Sequence, residues 1–267
     1  MKHIDINCDM GESFGAYTIG MDEDVIPYIT SANIACGFHA GDPMVLRRTV
    51  RMAATNRVGA GAHPGFPDLL GFGRRKMECT PDEIENYVIY QTGAIRAFCD
   101  AEGIALQHVK PHGGLYNMAA ENEKLIETIA KAIARVDPGL IMVCLAGQNA
   151  RRFREIVENT GIQVVFEAFP DRAYTPEGTL VSRNKPGAVI YEPEAVAERA
   201  LMMAAKGMIE AEDGSMLTLE ADTLCVHGDT PDAVDLVRNI RETLEGNDIT
   251  VVPMAEIISL KQGKKGL

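Results

Sequence analysis

The sequence predicts an α/β fold and, within that class, a seven-stranded (β/α) barrel. Short β-rich segments recur along the 267 residues, and each precedes a polar, glycine-containing loop and then a helical periodicity. Strands that alternate with helices pair in parallel through right-handed crossovers. The unit recurs about seven times, which fits a closed ring better than an open sheet. No Pro/Ser-rich linker divides the chain, so we expect one barrel domain over residues 1–267.

The strand predictions rest on apolar residues that alternate with small or polar ones and end at Gly, Pro or Asp. Their lengths suit the strands of a parallel ring, which are commonly about 5–6 residues long. The seven segments cover 3–9, 31–39, 58–65, 105–112, 140–147, 163–171 and 223–229, and a further short run covers 249–253.

Helical periodicity fills the intervals between these segments. Thr80-Pro81-Asp82-Glu83 is a capping box with Pro at the first helical position, and apolar residues follow at helical spacing up to Phe98. Other helices are predicted over 42–57, over 121–136 and from Thr230 onward. Residues 172–187 instead form a long polar connection, which makes them a candidate lid.

Charge and composition exclude several classes of function. A net charge of −12 disfavours nucleic acid and anionic membrane surfaces, because both repel an acidic protein. No run of 18 apolar residues exists, and the N-terminal segment lacks the apolar stretch of a signal peptide. The six Cys are dispersed without a CxxC pair, which is typical of reduced, buried thiols. We therefore expect a cytoplasmic protein with no nucleic acid and no membrane partner.

Ionisable residues fall in the same phase of successive strands. Alternate residues of a strand point to opposite faces, so Asp5, Asn7 and Asp9 share one face of the first strand. The carboxyl ends of barrel strands form one mouth, where we expect these groups to converge. Gly59 and Gly61 would leave room inside the ring for longer side chains. The same phase collects Asn33 and His39, then His63, then His108, Lys110 and His112, then Glu167 and Asp171, and finally His227 and Asp229.

This set of residues is compatible with a divalent metal or with acid–base hydrolysis. Asp9, His39 and His63 form one candidate metal set, and Asp9, His63 and His112 form another. Without a metal, a carboxylate or an imidazole would activate water while Lys110 stabilises an oxyanion or a phosphoryl group. No GxSxG, GxxxxGK[ST] or GxGxxG motif is present.

Two arginines follow the third strand in the segment "GFGRRKM". Arg74 and Arg75 would lie near the same mouth, either as surface charges or as a clamp for a carboxylate or phosphate.

Long blocks in order along the chain resemble the LamB/YcsF family. They are "DINCDMGESFG", "NIACGFHAGDP", "GAHPGFPDLLGFGRR", "VKPHGGLYN", "FEAFPDRAYTPEGTLVSR", "GAVI" and "CVHGD". The resemblance implies a (β/α) barrel of the glycoside hydrolase/deacetylase type. It also implies ATP-dependent opening of the lactam 5-oxo-L-proline (pyroglutamate) to L-glutamate, with ADP and phosphate as the other products. ATP would be a co-substrate shared with two partner subunits, B and C. A homo-oligomer is compatible with it.

The resemblance also implies site residues, most of which strand phase selects independently. Asp9 or Asp229, with His63 or His112, would transfer protons, and Lys110 would neutralise charge on the lactam or phosphoryl oxygen. Arg172, Arg74 or Asn7 would hold the substrate carboxylate. The catalytic group is Asp9, Lys110, His112, His227 and Asp229; the substrate-binding group is Asn7, Glu12, Arg74, Glu167, Asp171 and Arg172; the metal group is Asp9, His39 and His63; the blocks also contain Asp42.

Three other functions fit the same sequence. A stand-alone metal-dependent deacetylase would use the Asp/His set, and elemental analysis for zinc would reveal it. A non-catalytic binding module would hold substrate for a partner, which fits the missing nucleotide motif. A hydrolase of another lactam or cyclic amide would use a pocket of the same size.

Overall fold

Parallel strands close into the ring that the sequence predicts. The computed structural model describes residues 2–226 and 233–265. In chain order its strands are β1 Lys2–Met10, β2 Ser31–Ala35, β3 Gly59–His63, β4 Leu106–Val109, β5 Ile141–Leu145, β6 Gln163–Ala168, β7 Met208–Glu210, β8 Met216–Thr218, β9 Thr223–Val226 and β10 Ile249–Val251. Strands β1 to β6 follow one another around the ring, and β9 joins β6 to β1. The predicted seven-stranded parallel barrel is therefore confirmed.

Helices surround the ring and begin with the predicted caps. In chain order they are α1 Asp22–Val25, α2 Pro43–Asn56, α3 Pro81–Ala101, α4 Gly113–Ala119, α5 Glu123–Val136, α6 Ala150–Glu158, α7 Pro193–Lys206, α8 Ala233–Glu245 and α9 Met254–Lys265, with a 3-10 turn at Ile26–Tyr28. The Thr80 and Glu83 side chains form both bonds of the capping box of α3. The Asp42 carboxylate accepts the Met44 and Val45 N–H groups at the start of α2. The predicted helix start at Thr230 lies outside the described residues.

Several elements were not predicted from the sequence. Helix α6 is only nine residues long and rich in Arg and Glu, and its three buried residues are Ala150, Phe153 and Val157. Strands β7 and β8 form an antiparallel hairpin apart from the ring. Strand β10 pairs with the start of β1, so the short run at 249–253 extends the sheet outside the seven-stranded ring.

Several strands end earlier than the sequence predicts. Strand β2 ends at Ala35 and β4 at Val109, so His39, Lys110 and His112 lie in the loops that follow. The chain must turn there toward the next helix, and glycines with positive φ make the turns: Gly37 at 91° and Gly113 at 50°. These side chains still lie at the mouth of the barrel, as predicted, but many of them come from loops rather than from strands.

The predicted alternation along β1 is confirmed. Ile4, Ile6 and Cys8 belong to the apolar core between ring and helices, whereas Asp5 and Asn7 are fully buried inside the ring. The part of the barrel interior next to β1 is therefore polar, and its side chains must be hydrogen-bonded to one another. Within the described residues no helix is long and apolar enough to cross a membrane.

Candidate functional site

A cavity of about 500 Å³ opens at the carboxyl ends of the strands. Its inner wall holds carboxylates, imidazoles and a lysine, and its outer wall holds Arg and Lys side chains. The predicted lid segment contributes residues 179–184 to this outer wall. Isolated bridges from Arg172 to Val189 and from Tyr174 to Leu180 fold that segment back over the mouth. The ionisable lining residues are Asp9, Glu12, His63, Arg74, Lys76, Lys110, His112, Tyr116, Glu121, Arg172 and Arg183.

A buried lysine lies between two carboxylates at the base of the cavity. Lys110 Nζ is 2.9 Å from Asp9 Oδ1 and 2.8 Å from Glu167 Oε1. It also lies 3.1 Å from Cys225 Sγ and 3.4 Å from Asn7 Oδ1. We call these five residues the Lys110 cluster. Burial alone would lower the pKa of Lys110, but the nearby Asp9, Cys225 and Glu167 raise it well above its ordinary value. We therefore expect Lys110 to be positively charged.

A directed hydrogen-bond network inside the ring positions this cluster. Asn33 Nδ2 donates to Asn7 Oδ1 at 2.6 Å and to Asp9 Oδ1 at 2.9 Å. Burial and the charge of Lys110 lower the pKa of His108 to about 3, so the neutral ring donates from Nε2 to Asn33 Oδ1 at 2.8 Å. His108 is thus a structural partner of Asn33. Its ring occupies the space above Gly61, where a Cβ would overlap the imidazole, as the small-residue prediction requires.

The network ends on a second carboxylate deep in the ring. Asn7 Nδ2 donates to Thr223 Oγ1 at 2.6 Å, and the Thr223 hydroxyl donates in turn to Asp5 Oδ2. Thr30 and Ser31 hydroxyls also donate to Asp5, at 2.8 and 2.6 Å. Burial raises the pKa of Asp5 to about 6, although these three hydrogen bonds oppose the shift. A continuous chain of donors therefore runs from Lys110 through Asn7 to Asp5.

Three imidazoles and a carboxylate converge beside the Lys110 cluster. Ligand atoms of Glu12, His39, His63 and His112, which we call the imidazole cluster, lie within 4.8 Å of one another. The rings of His39 and His112 stack at 3.7 Å. Asp9 links the two clusters, because its Oδ2 lies 3.3 Å from His63 Nε2. The predicted metal sets used Asp9 as the carboxylate. In the structure the carboxylate grouped with the three imidazoles is that of Glu12, which was predicted to bind substrate.

Backbone carbonyls fix which ring nitrogens face inward. His63 Nδ1 donates to the Lys110 carbonyl at 2.7 Å, and His112 Nε2 donates to the Phe72 carbonyl at 2.7 Å. In neutral rings the other two nitrogens, 2.9 Å apart, then both carry lone pairs. Two facing lone pairs repel unless a proton or a metal cation binds them. Burial lowers the pKa of His39 and His112 well below the ordinary range, so a proton is disfavoured. The donor set therefore fits a divalent metal.

The three arginines near the mouth make different contacts. Arg172 donates to the Val181 carbonyl at 2.6 Å and to the Ala188 carbonyl at 3.2 Å, so much of its guanidinium stabilises the lid segment. Arg74 stacks 4.9 Å from the Phe72 ring and lines the cavity. Arg75 forms a bidentate pair with Asp68 and its side chain is mostly exposed, so it fits the surface-charge alternative, and the role of Arg74 stays a prediction.

Most predicted site residues converge at the cavity. Asp171 is buried behind it, next to Arg172 in sequence, and does not line it. Asp42 caps α2. His227 and Asp229 lie outside the described residues. Sequence reasoning missed Cys225 as a neighbour of Lys110, although its strand phase matched that of His227. It also missed Tyr116, Lys76 and Arg183, which alternation cannot reach because they lie in helices or loops.

Comparisons with known proteins agree with this geometry. The ring and its ionisable side chains define a (β/α)-barrel protein with a polar cavity at the mouth. The chain belongs to the LamB/YcsF family, whose model matches residues 4–259. The A subunit of 5-oxoprolinase from Natranaerobius thermophilus is 56% identical over 251 residues, which cover 94% of this chain and 96% of that protein. The expectation of an enzyme family is confirmed.

Solved structures agree on the fold. The lactam utilization protein of Thermus thermophilus superposes with a TM-score of 0.86 at 46% identity, and the match covers 94% of this chain and 99% of that one. A Bacillus subtilis peptidoglycan deacetylase superposes with a TM-score of 0.50 at 10% identity over 99% of this chain and 93% of its own. The second likeness bears on the fold alone, and it agrees with the deacetylase-like barrel that the sequence predicts.

Proposed function

We propose that this chain is the A subunit of an ATP-dependent 5-oxoprolinase, which opens 5-oxo-L-proline to L-glutamate while ATP becomes ADP and phosphate. The observation that carries the proposal is Asp9, which contacts Lys110 at 2.9 Å and His63 at 3.3 Å on the cavity wall. A cation, a carboxylate and an imidazole at one point are the groups that amide hydrolysis needs. Relatives that carry the name of the 5-oxoprolinase A subunit support the choice of a lactam.

The chain's own residues divide the work. Asp9 takes a proton from the attacking water, because its side chain is 14% exposed and faces the cavity, and returns it to the ring nitrogen as the C–N bond breaks. Lys110 neutralises the negative charge that develops on the lactam oxygen. Glu167 and Asn7 hold Lys110 in place, and Glu167 keeps it charged.

Side chains of the outer wall orient the substrate. The Arg172 guanidinium serves lid carbonyls, and the Asn7 amide is used by Thr223 and Asn33. Arg74, which lines the cavity beside the Phe72 ring, would hold the substrate carboxylate. Tyr116 lines the same wall, and burial raises the pKa of its hydroxyl well above the ordinary value, with the Glu167 carboxylate adding to the shift. It acts as a neutral hydrogen-bond partner.

A divalent metal is part of the proposal. Glu12, His39, His63 and His112 would hold it, because their inward atoms form one set of acceptors. Three nitrogens and one carboxylate oxygen suit zinc. A cation there supplies Lewis acidity next to Asp9.

We expect the chain to act in the cytoplasm with partner subunits B and C. Mixing the three purified proteins tests the function. Glutamate release from 5-oxo-L-proline should require all three proteins and ATP, and ADP should form in step with glutamate. Lys110→Met should abolish release, whereas Lys131→Met, an exposed lysine on α5 paired with Glu127, should retain it. Glutamate release without ATP, or by B and C alone, would contradict the proposal.

A stand-alone deacetylase remains the second candidate, since the imidazole cluster alone fits zinc-dependent hydrolysis. Release of acetate from an N-acetylated sugar by the isolated zinc-loaded chain, with no lactam opening in the complex, would favour it.

A further inference from the structure

Two fully buried polar residues below the cavity have no role in the proposed chemistry. Asp5 and Thr223 are closed to water, and neither lines the cavity. They lie opposite each other in the pair of β1 and β9, one inward layer below Asn7 and two below Asp9. Four residues of strand separate Asp5 from Asp9, which corresponds to about 13 Å. Asp5 therefore does not touch the substrate, and hydrogen bonds between the layers are its direct link to the reaction.

Donors at the base of the cavity fix the orientation of the Asn7 amide. Its Oδ1 accepts from Asn33 Nδ2 at 2.6 Å and lies 3.4 Å from Lys110 Nζ. A reversed amide would place its nitrogen against an ammonium and a second amide nitrogen, all of which are donors. The Asn7 oxygen therefore faces Lys110, and Nδ2 faces Thr223 Oγ1 in the layer below, 2.6 Å away.

The Thr223 hydroxyl completes this arrangement in one direction. A hydroxyl has one proton to donate and two lone pairs that accept. Because Asn7 Nδ2 donates to Thr223 Oγ1, the hydroxyl proton points away from Asn7, and the acceptor that lies there is Asp5 Oδ2. Without that acceptor the proton could turn toward Asn7, where it would favour the reversed amide. Asp5 thus sets the direction of both hydrogen bonds above it.

The other oxygen of Asp5 is held separately. Its Oδ1 accepts the Thr30 and Ser31 hydroxyls at 2.8 and 2.6 Å. Each hydroxyl has a second acceptor at 3.2 Å, which is the Ile6 carbonyl for Thr30 and Gln107 Oε1 for Ser31. Oδ1 can therefore gain a proton, or be replaced by an amide nitrogen, while Oδ2 remains an acceptor. The layer above thus requires an acceptor oxygen at residue 5 rather than a negative charge.

We propose that Asp5 and Thr223 are positioning residues, which act through Asn7 to keep an acceptor oxygen against Lys110. The inference rests on the proposed function, in which Lys110 neutralises the charge that develops on the lactam oxygen. That stabilisation depends on how accurately the cation is placed before the reaction. Removing the Asp5 acceptor frees the Asn7 amide to reverse, and a reversed amide repels the ammonium.

The same orientation also holds the group that transfers protons. Asn33 Nδ2 donates both to Asn7 Oδ1 and, at 2.9 Å, to Asp9 Oδ1. A reversed Asn7 amide would repel Asn33 and so loosen Asp9. The rate of the chemical step should then fall at constant substrate affinity, because Arg74 and the rest of the outer wall are unchanged.

Kinetics of Thr223 variants in the reconstituted complex test the proposal. Thr223→Val keeps the shape of the side chain without the hydroxyl, and it should lower kcat for glutamate release by about tenfold to a hundredfold at unchanged KM. Thr223→Ser keeps the hydroxyl and should restore most of the rate. Thr92→Val is the matched control, since within the described part of the chain this equally buried hydroxyl on α3 has no hydrogen-bond partner. It should leave kcat unchanged.

Variants of Asp5 separate the acceptor from the charge. Asp5→Asn keeps an acceptor oxygen for Thr223 and should retain most of the activity, whereas Asp5→Leu removes it and should be as slow as Thr223→Val. Asp5→Leu combined with Thr223→Val should be no slower than either single variant, because residues that act through one network are not additive. A loss in Asp5→Asn as large as that in Asp5→Leu, or additive losses in the double variant, would overturn the proposal.

A measurement on the free chain keeps this result separate from the proposed function. The NMR signal of the Lys110 ammonium nitrogen, identified by its loss in Lys110→Met, reports the surroundings of Nζ without any reaction. It should move in Thr223→Val and Asp5→Leu and stay in place in Thr223→Ser and Thr92→Val. An unmoved signal in both Thr223→Val and Asp5→Leu would refute the positioning role. Failure of the wild-type complex to release glutamate would instead refute the proposed function and leave the spectra readable.

Discussion

Lys110 is held by two carboxylates in a site that is almost closed to water. Its side chain is 3% exposed, and Glu167 beside it is fully buried. Moving a cation and an anion out of water costs several kcal/mol for each ion, so burial of this pair is hard to explain by stability alone. A permanent cation with a fixed position is, however, what stabilisation of a developing oxyanion requires. The pair is therefore better explained by catalysis than by folding.

Lys110→Met should separate these two roles. It leaves the Asp9 and Glu167 carboxylates without their counter-ion, which should lower the free energy of unfolding by about 3–5 kcal/mol. Lys110→Met combined with Glu167→Gln should recover part of that loss, because one uncompensated charge is gone. Neither variant should release glutamate in the complex. Urea unfolding and the glutamate assay measure the two effects, and an active double variant would contradict the role of Lys110.

Asp5 should make the stability of the fold depend on pH. Its pKa rises from an ordinary 3.8 to about 6, so the folded protein holds the proton more tightly than the unfolded chain does. The resulting stabilisation is fully present below about pH 4 and is lost as the pH rises through about 6. Two pKa units correspond to at most about 3 kcal/mol. The groups that face Asp5 are the Thr30, Ser31 and Thr223 hydroxyls and the Glu167 carboxylate.

Comparison with Asp5→Asn isolates this contribution from other titrating groups, including His108, whose lowered pKa acts in the opposite direction. Between pH 4 and 7 the free energy of unfolding of wild type should fall relative to that of Asp5→Asn. Urea unfolding at several pH values measures the difference. Parallel curves would show that Asp5 does not titrate in this window.

At the scale of single elements, strand phase explains what could be predicted and where prediction stops. Alternation placed Asn7, Asp9, His63 and Glu167 correctly because each lies within a regular strand. It could not direct Glu12, since Gly11 at φ 68° breaks the alternation at the end of β1 and turns the next residue toward the imidazoles. Nor could a sequence reveal that the Arg172 guanidinium serves lid carbonyls, because those bonds depend on how a loop closes.

The fit between β3 and β4 gives an element-scale prediction. A Cβ at Gly61 would overlap the His108 ring, so Gly61→Ala should destabilise the protein by about 1–3 kcal/mol through overpacking. In a His108→Ala background the same change should cost much less, because the obstructing ring is absent. Gly93→Ala on α3, where nothing lies within 4 Å of the added Cβ, should instead stabilise by up to about 1 kcal/mol. Additive effects at 61 and 108 would refute the packing account.

At the scale of the whole molecule, the site joins distant parts of the chain. Glu12 follows β1, His39 follows β2, His63 ends β3 and His112 follows β4, so the imidazole cluster connects four consecutive strands of the ring. Hydrogen bonds among side chains of β1, β2, β4 and β9 connect the ring from inside. Ligand binding at the mouth should therefore stabilise the whole ring against unfolding. The assignment of residues 1–267 to one domain stays a prediction.

Metal binding tests this coupling. Zinc that binds the folded chain alone should stabilise it by about 2.7 kcal/mol at a concentration one hundred times Kd, which would raise Tm by about 5 °C. Chelation should reverse the shift. His39→Ala should abolish both the shift and the bound metal, whereas His3→Ala, a histidine outside the cluster, should retain both. Scanning calorimetry with elemental analysis measures Tm and stoichiometry together. Stabilisation that survives in His39→Ala would place the metal elsewhere and leave the facing nitrogens of His63 and His112 to share a proton.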